Sequence, residues 1–349
     1  LKSKIVRVIT TILSLCFSST CSIDKWRDAS AILLLKPGRD AHKVRSWRHI
    51  VLASAVYKVY TSILANRLSK YLSTRLSSQQ HGFQKGVGNH HHVYTLLELI
   101  ELAKRNNTDF YAVFIDFTNA FGTVPFESIR RGLKSMNCPE HFVKVIEDLY
   151  ENISMYFSDP PPENEHLVKL ARGVRQGCPL SPIIFLLTID PLLKWLEKDC
   201  LGLTLPILPR ESVPATSTPN VSTPHQCFAD DLALVPSSIA NLNNMLDRIS
   251  QFCDETGISI NVGKCGAIVA PGGVALANAT IHIGSSRVPV IHAQGDKPSY
   301  KYLGLPVSFD LDWPTIQIEC ESAMKKRIAK IDSSGLLPLQ KLTTLRSWA

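Results

Sequence analysis

The segment Gln226-Cys227-Phe228-Ala229-Asp230-Asp231-Leu232-Ala233-Leu234-Val235 decides the fold, because it places two adjacent acids between two short apolar stretches. The flanks predict the strands of a β-hairpin, with Asp230 and Asp231 at the turn. Adjacent carboxylates repel each other and resist burial unless a cation such as Mg²⁺, which takes oxygen ligands, neutralises them. An ordinary Asp-rich turn has the same local pattern, so the pair is informative only together with a third acid.

A third acid ends the upstream segment Phe110-Tyr111-Ala112-Val113-Phe114-Ile115-Asp116-Phe117. This run of aromatic, apolar and β-branched residues predicts a buried central strand. A charge is costly in such a strand unless it lies at the strand's end and faces a cleft. Asp116, Asp230 and Asp231 together predict a three-carboxylate site for two metal ions, an arrangement that serves in-line phosphoryl transfer.

The composition favours a globular protein with a polyanionic partner. The 349 residues allow two or three subdomains, and 45% of them are hydrophobic. The formal charge is +8, and residues 36–75 alone carry nine Lys or Arg against one acid, Asp40. Such a local excess favours a nucleic-acid or triphosphate surface over an ordinary solvated one. The nine cysteines show no zinc-finger spacing, which predicts free thiols in a reducing compartment.

Several motifs in order between Trp26 and Val307 make the chain similar to the reverse transcriptases of non-LTR (LINE-type) retrotransposons. The resemblance implies an α+β, right-hand polymerase with an antiparallel palm sheet that carries the aspartate hairpin and is backed by helices, mixed fingers and an incomplete helical thumb. The expected divisions are residues 1–109 for the fingers, 110–124 for the palm, 125–170 for an insertion between fingers and palm, 171–311 for the palm with a mobile loop at 201–224, and 312–349 for the start of the thumb.

The activity that the resemblance implies is RNA-directed DNA polymerisation with two Mg²⁺ ions, or Mn²⁺ in their place. The implied partners are an RNA template, a DNA primer, dNTPs and other parts of a longer polyprotein, including an endonuclease and the rest of the thumb. We expect an intracellular, nuclear setting rather than secretion. The apolar run at residues 5–17 resembles a signal peptide, but we interpret it as a buried helix that is too short to span a bilayer.

The resemblance also assigns roles to individual residues. Asp116, Asp230 and Asp231 are the implied catalytic acids, and they bind metal together with the backbone of Phe117. A second group is implied to contact the nucleotide or the template base: Lys36, Arg48, Phe121, Gln176, Gly177 and Lys264. Arg and Lys suit phosphate, and an aromatic residue at Phe121 excludes a 2′-hydroxyl in the family. Tyr302, Leu303 and Gly304 match the primer-grip hairpin.

Periodicity and turn residues predict the local structure around these motifs. Asn89 is predicted to cap a helix at 93–104, and three adjacent histidines on such a helix point in different directions, which argues against one shared metal. The glycine-bearing turn at 79–86 resembles a family motif in which template backbone comes close. The remaining predictions are helices at 5–15, 56–72, 126–136, 140–150, 183–197, 239–253 and 313–331, strands at 31–36 and 46–52 forming a basic two-stranded hairpin, and a turn at 159–164.

Three residues depart from the family pattern and keep other interpretations open. His49 stands where Pro is usual, Asn119 where Lys is common, and Gly122 where a second Asp is common. One alternative is therefore a relic that binds nucleic acid without catalysis. Another is a different palm polymerase, such as an intron maturase or an RNA-dependent RNA polymerase, although Phe121 disfavours ribonucleotides. No endonuclease or ribonuclease H signature is present in these residues.

Overall fold

The computed structural model describes residues 2–36, 38–157, 167–206, 220–276, 278–291, 298–310 and 313–346. The turn predicted at 159–164 and most of the loop predicted at 201–224 lie outside these ranges. Among the described residues, no helix is long and apolar enough to cross a membrane. All nine cysteines are free thiols, as predicted, and six of them are buried.

The helices follow the predicted periodicity closely, but the helix expected to be buried at residues 5–17 is mostly exposed: Ile5, Val6 and Leu15 are each more than half exposed. The segment predicted at 56–72 forms a helix whose first turn is capped by Ser54, which accepts a hydrogen bond from the Tyr57 amide. The prediction for the third helix is wrong at its start, because Asn89 is already helical and Gly88 is the N-cap residue. The helices are α1 (Lys2–Ser19), α2 (Ala55–Leu72), α3 (Asn89–Asn106), α4 (Ala120–Thr123), α5 (Phe126–Ser135), α6 (Glu140–Tyr150), α7 (Ser181–Asp199), α8 (Ile239–Thr256), α9 (Trp313–Asp332) and α10 (Pro338–Arg346).

The strands of the described ranges are β1 (Asp28–Leu35), β2 (Trp47–Leu52), β3 (Phe110–Asp116), β4 (Ser154–Tyr156), β5 (Val168–Lys169), β6 (Leu203–Pro206), β7 (Asn220–Thr223), β8 (His225–Phe228), β9 (Asp231–Leu234), β10 (Gly266–Ala270), β11 (Ile281–Ile283), β12 (Ser286–Val288), β13 (Tyr300–Tyr302) and β14 (Leu305–Val307). These strands form two four-stranded sheets and three two-stranded ones. The central sheet has the order β10-β3-β9-β8 and is antiparallel throughout. The second sheet has the order β2-β1-β4-β5.

Strand β3 is apolar on both faces because it separates two hydrophobic cores. Tyr111, Val113 and Ile115 belong to the larger core, which includes buried residues of α5, α6, α7 and α8. Phe110 and Phe114 belong to the second core, which includes α3 and residues of the β13–β14 hairpin. Successive side chains of a strand point to opposite faces, so a strand with a core on each side reads as a continuous apolar run. This sandwich holds the end of β3, and therefore Asp116, in place.

The basic hairpin predicted near the N-terminus is present but is not an isolated two-stranded unit. Strands β1 and β2 pair antiparallel, with Leu34 opposite Arg48. The start of β1 also pairs in parallel with β4, which in turn pairs with β5. The sequence prediction missed this pairing because β4 lies far along the chain and has only three residues. The hairpin is therefore anchored at its base to the rest of the molecule.

Candidate active site

Three carboxylates lie at one end of the central sheet. Asp116 is the last residue of β3 and Asp231 is the first residue of β9, and the two are directly paired across the strands. Side chains of directly paired residues lie on the same face of a sheet. Asp230 occupies the two-residue turn of the β8–β9 hairpin, in which Phe228 pairs with Asp231. The fold thus brings together acids that are more than a hundred residues apart in the chain.

The acids make each other's ionisation unfavourable. Burial raises the pKa of Asp231 to about 6, and the neighbouring charges of Asp230 and Asp116 add to the effect. Burial also raises the pKa of Asp230, with a further contribution from Asp116, while Arg48 and Lys264 act in the opposite direction. Carboxylates that interact in this way hold their charge at lower cost when a cation lies between them.

Lys264 is the cation that contacts this cluster directly. Its Nζ lies 3.2 Å from Oδ2 of Asp116. Lys264 ends a short 3₁₀ turn, 262–264, which is held against the end of β3 because the Asn261 amide donates to the Asp116 carbonyl at 2.8 Å. The adjacent thiol of Cys265 accepts a 3.4 Å hydrogen bond from the Asp116 amide. The predicted site lysine therefore reaches the predicted acids.

The carboxylate oxygens of the three acids suit a hard divalent cation chemically, but the side chains do not converge on one point. Among the described residues, no group of three His, Cys, Asp or Glu side chains is arranged to hold a metal ion. Asp116 is paired with Lys264 instead. Phe117 lies opposite Ile260 in an isolated antiparallel bridge. The hydrogen bonds of this bridge are made by the neighbouring residues, from the Thr118 amide to the Ser259 carbonyl and from the Asn261 amide to the Asp116 carbonyl, so the Phe117 carbonyl points away from Ile260. The ion pair with Lys264 therefore competes with the binding of a divalent ion by Asp116.

The cations of the β1–β2 hairpin face the same cluster. Burial and the neighbouring charges of Arg48, Lys264 and Arg39 lower the pKa of Lys36, and Asp116 acts in the opposite direction. Lys36 and Arg48, the two predicted phosphate-binding residues of the hairpin, therefore lie close enough to the acids and to Lys264 for their charges to interact. His49, a departure from the family pattern, lies in β2 opposite Leu33 and leaves the pairing of the strands continuous.

Phe121 lies in the short helix α4, just after the end of β3. Its ring stacks on Phe185 at 4.5 Å and meets Phe83 edge-on at 6.1 Å. The ring is only partly buried, so one part of it remains open to solvent. The two other departures lie beside it and fit each other: a Cβ on Gly122 would come within 2.2 Å of Nδ2 of Asn119. A second Asp at position 122 would therefore require Asn119 to move.

Gln176 and Gly177 lie in the loop before α7, where the loop crosses β2. The Val51 amide donates to the Gln176 carbonyl at 2.7 Å. Gly177 has a φ of +109°, and a Cβ there would lie 2.7 Å from the Val51 carbonyl oxygen. The glycine is needed both for its backbone conformation and for this close approach. The loop is thereby attached to the hairpin that carries Arg48.

The predicted primer-grip residues form the hairpin between β13 and β14. Tyr302 pairs with Leu305, which leaves Leu303 and Gly304 in the turn with φ values of +48° and +99°. The Tyr302 ring lies 5.2 Å from that of Phe114, and Tyr300 stacks on Phe114 at 4.4 Å. The hairpin therefore packs beneath β3 through aromatic contacts, on the face opposite the larger core.

Sequence reasoning missed Arg175, which is almost fully buried beside the predicted residue Gln176. Its Nη1 donates to the Trp26 carbonyl at 2.7 Å, its Nη2 donates to the Arg27 carbonyl, and its guanidinium lies 5.5 Å from the Tyr57 ring centroid. Arg175 thus ties the loop before α7 to the start of β1. The same loop contains a second arginine, the exposed Arg172, so the local sequence carries no signal for which of the two is buried.

Sequence reasoning also missed Gln80 and the contact made at Gly82. The approach of template backbone expected at the turn 79–86 stays a prediction; no atom lies within 4 Å of the Cβ position of Gly86, but a Cβ on Gly82 would lie 2.2 Å from the Ala229 amide nitrogen. The space is filled by the turn of the aspartate hairpin. Gln80 contacts the same residue, Ala229, through its side-chain amide. The signal was the placement of both residues in one short motif.

The comparisons with known proteins agree with this geometry. A family model described as reverse transcriptase (RNA-dependent DNA polymerase) matches residues 34–307. Because the match covers well over half of the chain, the chain belongs to that family. The fold is also similar to a solved structure, the apo telomerase from Candida tropicalis truncated from its C-terminal domain, with a TM-score of 0.53, 14% identity, and coverage of 82% of this chain and 55% of that one. The palm-polymerase fold inferred from the motifs is thereby confirmed.

Its relatives are polyproteins of non-LTR retrotransposons, which confirms the resemblance noted from the motifs. The chain is 26% identical to the Pol polyprotein of the type-2 retrotransposable element R2DM of Drosophila melanogaster, over 88% of this chain and 27% of that protein. It is 26% identical to the Pol polyprotein of the type-1 element R2 of Popillia japonica, over 92% and 43%, and 22% identical to the RNA-directed DNA polymerase from mobile element jockey of Drosophila melanogaster, over 95% and 34%. The chain thus spans less than half the length of these proteins.

Proposed function

We propose that this chain is an RNA-directed DNA polymerase, in which a primer 3′-hydroxyl attacks the α-phosphate of a dNTP and pyrophosphate leaves. The observation that carries the proposal is the cross-strand pairing of Asp116 with Asp231, with Asp230 in the adjoining turn and Lys264 at 3.2 Å from Asp116. Family membership supports the same reaction class. Catalysis of this kind rests mainly on positioning and on neutralising charge.

We assign the acids to metal binding. Asp116, Asp230, Asp231 and the carbonyl of Phe117 would hold two Mg²⁺ ions, with Mn²⁺ as a substitute. Bound divalent ions favour deprotonation of the attacking hydroxyl and stabilise the charge of the leaving group. The contribution of the chain itself is to hold oxygen donors on adjacent strands, at a point where burial makes uncompensated charge costly.

The remaining assignments concern the nucleotide and the nucleic acid. Lys36, Arg48 and Lys264 would bind the triphosphate, and in this role Lys264 would release Asp116, which could then serve as a ligand of a divalent ion. Phe121 packs against the sugar of the incoming nucleotide. The other members of the proposed site are Gln176 and Gly177 for the template base and Tyr302, Leu303 and Gly304 for the primer end.

The proposed domains, substrates and setting rest on the resemblance to non-LTR reverse transcriptases. The fingers are assigned to residues 1–109, the palm to 110–124 and 171–311, an insertion to 125–170, and the start of the thumb to 312–349. RNA template, DNA primer and dNTPs are the proposed substrates, and the proposed context is a longer polyprotein that supplies an endonuclease and acts inside the cell, in the nucleus.

The direct test is primer extension on an RNA template with Mg²⁺. The wild-type chain is expected to extend the primer with dNTPs, whereas Asp230→Asn and Asp116→Asn are expected to lose activity to background, because each removes a proposed metal ligand. Lys144→Gln, on the exposed side of α6, serves as a control. Equal extension by the wild type and both acid variants would overturn the assignment.

A second candidate, nucleic-acid binding without catalysis, is favoured by one observation. In the described part of the chain, no three His, Cys, Asp or Glu side chains are arranged to hold a metal ion, and Asp116 forms an ion pair with Lys264. Under this alternative, RNA binding depends on salt but no synthesis occurs with Mg²⁺ or Mn²⁺.

A comparison of dNTPs with rNTPs addresses the remaining polymerase classes: the wild type is expected to prefer dNTPs, and Phe121→Val is expected to reduce that preference.

A further inference from the structure

The side chain of Gln80 is bound to the turn that carries Asp230. It is 2% exposed. Its Oε1 accepts hydrogen bonds from the Ala229 amide at 2.8 Å and from the Gly82 amide at 2.8 Å. Its Nε2 donates to the Ala229 carbonyl at 3.2 Å and approaches the Cys227 sulfur at the same distance. One amide group thus contacts both polar backbone atoms of the residue that immediately precedes Asp230.

The backbone around Gln80 also extends the central sheet. Strand β8 is the edge strand of that sheet. Gln80 forms a parallel bridge with Cys227 of β8: the Cys227 amide donates to the Gln79 carbonyl at 3.0 Å, and the His81 amide donates to the Cys227 carbonyl at 2.9 Å. The short segment 79–82 therefore covers the exposed edge of β8 and is held in register with the hairpin.

Ala229 needs such support because of its backbone conformation. Its φ is +57°, which is unfavourable for an L-residue with a Cβ. A positive φ at the first central residue is a property of the mirror-image turns of two-residue β-hairpins, in which Gly, Asn or Asp usually stands. Strained residues persist where the surrounding structure determines their conformation. Here the surrounding structure is the amide of Gln80.

Gly82 closes the other side of the turn. A Cβ at position 82 would lie 2.2 Å from the amide nitrogen of Ala229 and 2.7 Å from its Cα, so no other residue fits without moving the turn. The contacts of Gln80 and the close approach of Gly82 converge on the same residue. Both features are independent of the charges of the acids.

We propose that Gln80 is a positioning residue of the active site, which with Gly82 fixes the Ala229–Asp230 turn and so sets where the carboxylates of Asp230 and Asp231 lie. The catalytic consequence rests on the proposed function, whereas the structural consequence does not. Gln80 itself touches neither substrate nor metal in this proposal. Its effect reaches the reaction through the backbone of Ala229.

The structural part is tested by amide hydrogen exchange on the whole chain without nucleic acid. Gln80→Met keeps the length of the side chain but removes its hydrogen bonds. Because the amide and the carbonyl of Ala229 both lose their partner, exchange in peptides covering residues 227–231 is expected to become about tenfold faster or more. Peptides from β3 and α7 are expected to keep their rates. Unchanged exchange at 227–231 would overturn the proposal, whether or not the protein polymerises DNA.

The catalytic part is tested by primer extension with two controls. Displacing the acids is expected to lower kcat by about ten- to a hundredfold and to raise the Mg²⁺ concentration required, with little change in the KM for dNTP. Gln251→Met makes the same chemical change at an exposed position of α8, and Ile146→Val on α6 matches a modest loss of stability in the hydrophobic core.

Gly82→Ala approaches the same turn from the opposite side and is expected to reproduce both effects. If Gln80→Met lowers kcat no more than Ile146→Val does, at equal loss in melting temperature, Gln80 has only a structural role and the proposal is wrong. If the wild type does not extend a primer under any condition, the proposed function fails, while the exchange experiment still decides the role of Gln80.

Discussion

Individual residues of the site are held in states that are costly in isolation. The carboxyl of Asp231 has a pKa raised to about 6 by burial and by the two neighbouring acids, and Asp116 has Lys264 as its counter-charge. His92, behind the aspartate hairpin, is 2% exposed and stacks on His81 at 3.9 Å, and neither ring nitrogen has a hydrogen-bond partner among the described residues. The pairing of Asp116 with Lys264 and the burial of His92 each lead to a prediction.

The variant Lys264→Gln removes the ammonium group that neutralises Asp116. We expect the free protein to bind Mn²⁺ about two- to fivefold more tightly, because the ion no longer competes with a half-exposed salt bridge. Primer extension is expected to slow, because the triphosphate loses a cation. Isothermal titration measures the first effect, with Lys198→Gln on α7 as the control; weaker Mn²⁺ binding by Lys264→Gln would contradict the prediction.

Burial, together with the charges of His81, His225 and His91, lowers the pKa of His92 to about 3. The unfolded chain therefore binds a proton that the folded chain does not between about pH 6.5 and 3, and stability falls as the pH falls in that range, by at most about 1.4 kcal/mol per pH unit for this group.

The variant His92→Leu removes this titration. We expect its melting temperature to exceed that of the wild type at about pH 5 by more than at about pH 8, because only the lower pH protonates His92 on unfolding. Thermal unfolding at the two pH values measures the difference. The control is His282→Asn, at an exposed position of β11. Parallel pH curves for the wild type and His92→Leu would refute the assignment.

At the scale of elements, the site depends on contacts between segments that are distant in sequence. The loop before α7 is attached to β2 by the hydrogen bond from Val51 to Gln176, and Arg175 attaches the same loop to the start of β1. The aspartate hairpin is attached to the segment after α2 through Gln80. Strand β3 lies between the two cores. The geometry of the site is therefore a property of how these elements pack.

The variant Gly177→Ala tests the contact between the loop and β2. Its Cβ would lie 2.7 Å from the Val51 carbonyl at a φ of +109°, so we expect a loss of about 1–3 kcal/mol in unfolding free energy together with slower extension. Gly86→Ala is the matched control, because Gly86 also has a positive φ, +83°, but no atom lies within 4 Å of its Cβ position. Equal losses in urea unfolding would show that the conformation alone, and not the contact, matters at 177.

At the scale of the whole molecule, the positive charge serves both packing and the proposed substrate. Residues 36–75 carry an excess equal to the net charge of the chain, +8. Within that segment Arg67 lies over the Phe17 ring at 5.4 Å and Arg75 over Tyr71 at 4.0 Å, so part of the excess is used in cation–π contacts. Lys36 and Arg48 remain near the acids. A second group of cations lies on the exposed helix α9.

Lys326 and Lys330 are exposed and one turn apart on α9. If both contact phosphates, replacing them with Gln is expected to reduce the slope of log K against log salt by about 1.4–1.8, because each contact releases counterions from the nucleic acid. Fluorescence anisotropy with a primer–template duplex at several salt concentrations measures the slope. The double variant Lys134→Gln, Lys144→Gln on α5 and α6 is the control, and an equal slope change in both pairs would contradict a specific role for α9.

The sequence by itself determined the fold class, and it predicted the reaction class and the three acids of the candidate site. These follow from local patterns: an apolar run ending in Asp116, a hairpin with Asp230 and Asp231, and helices with regular apolar spacing, each of which depends on near neighbours in the chain. The family match and the strand pairing agree with those inferences.

Only the tertiary structure decided what surrounds the acids. That Lys264 neutralises Asp116, that Gln80 and Gly82 enclose Ala229, that Arg175 is buried against β1, and that β1 joins β4 are all contacts between distant segments. No periodicity encodes such contacts, because a side chain's partner across the fold is set by how sheets and helices pack. The sequence predicts the acids of the candidate site, and packing sets their positions and their ionisation.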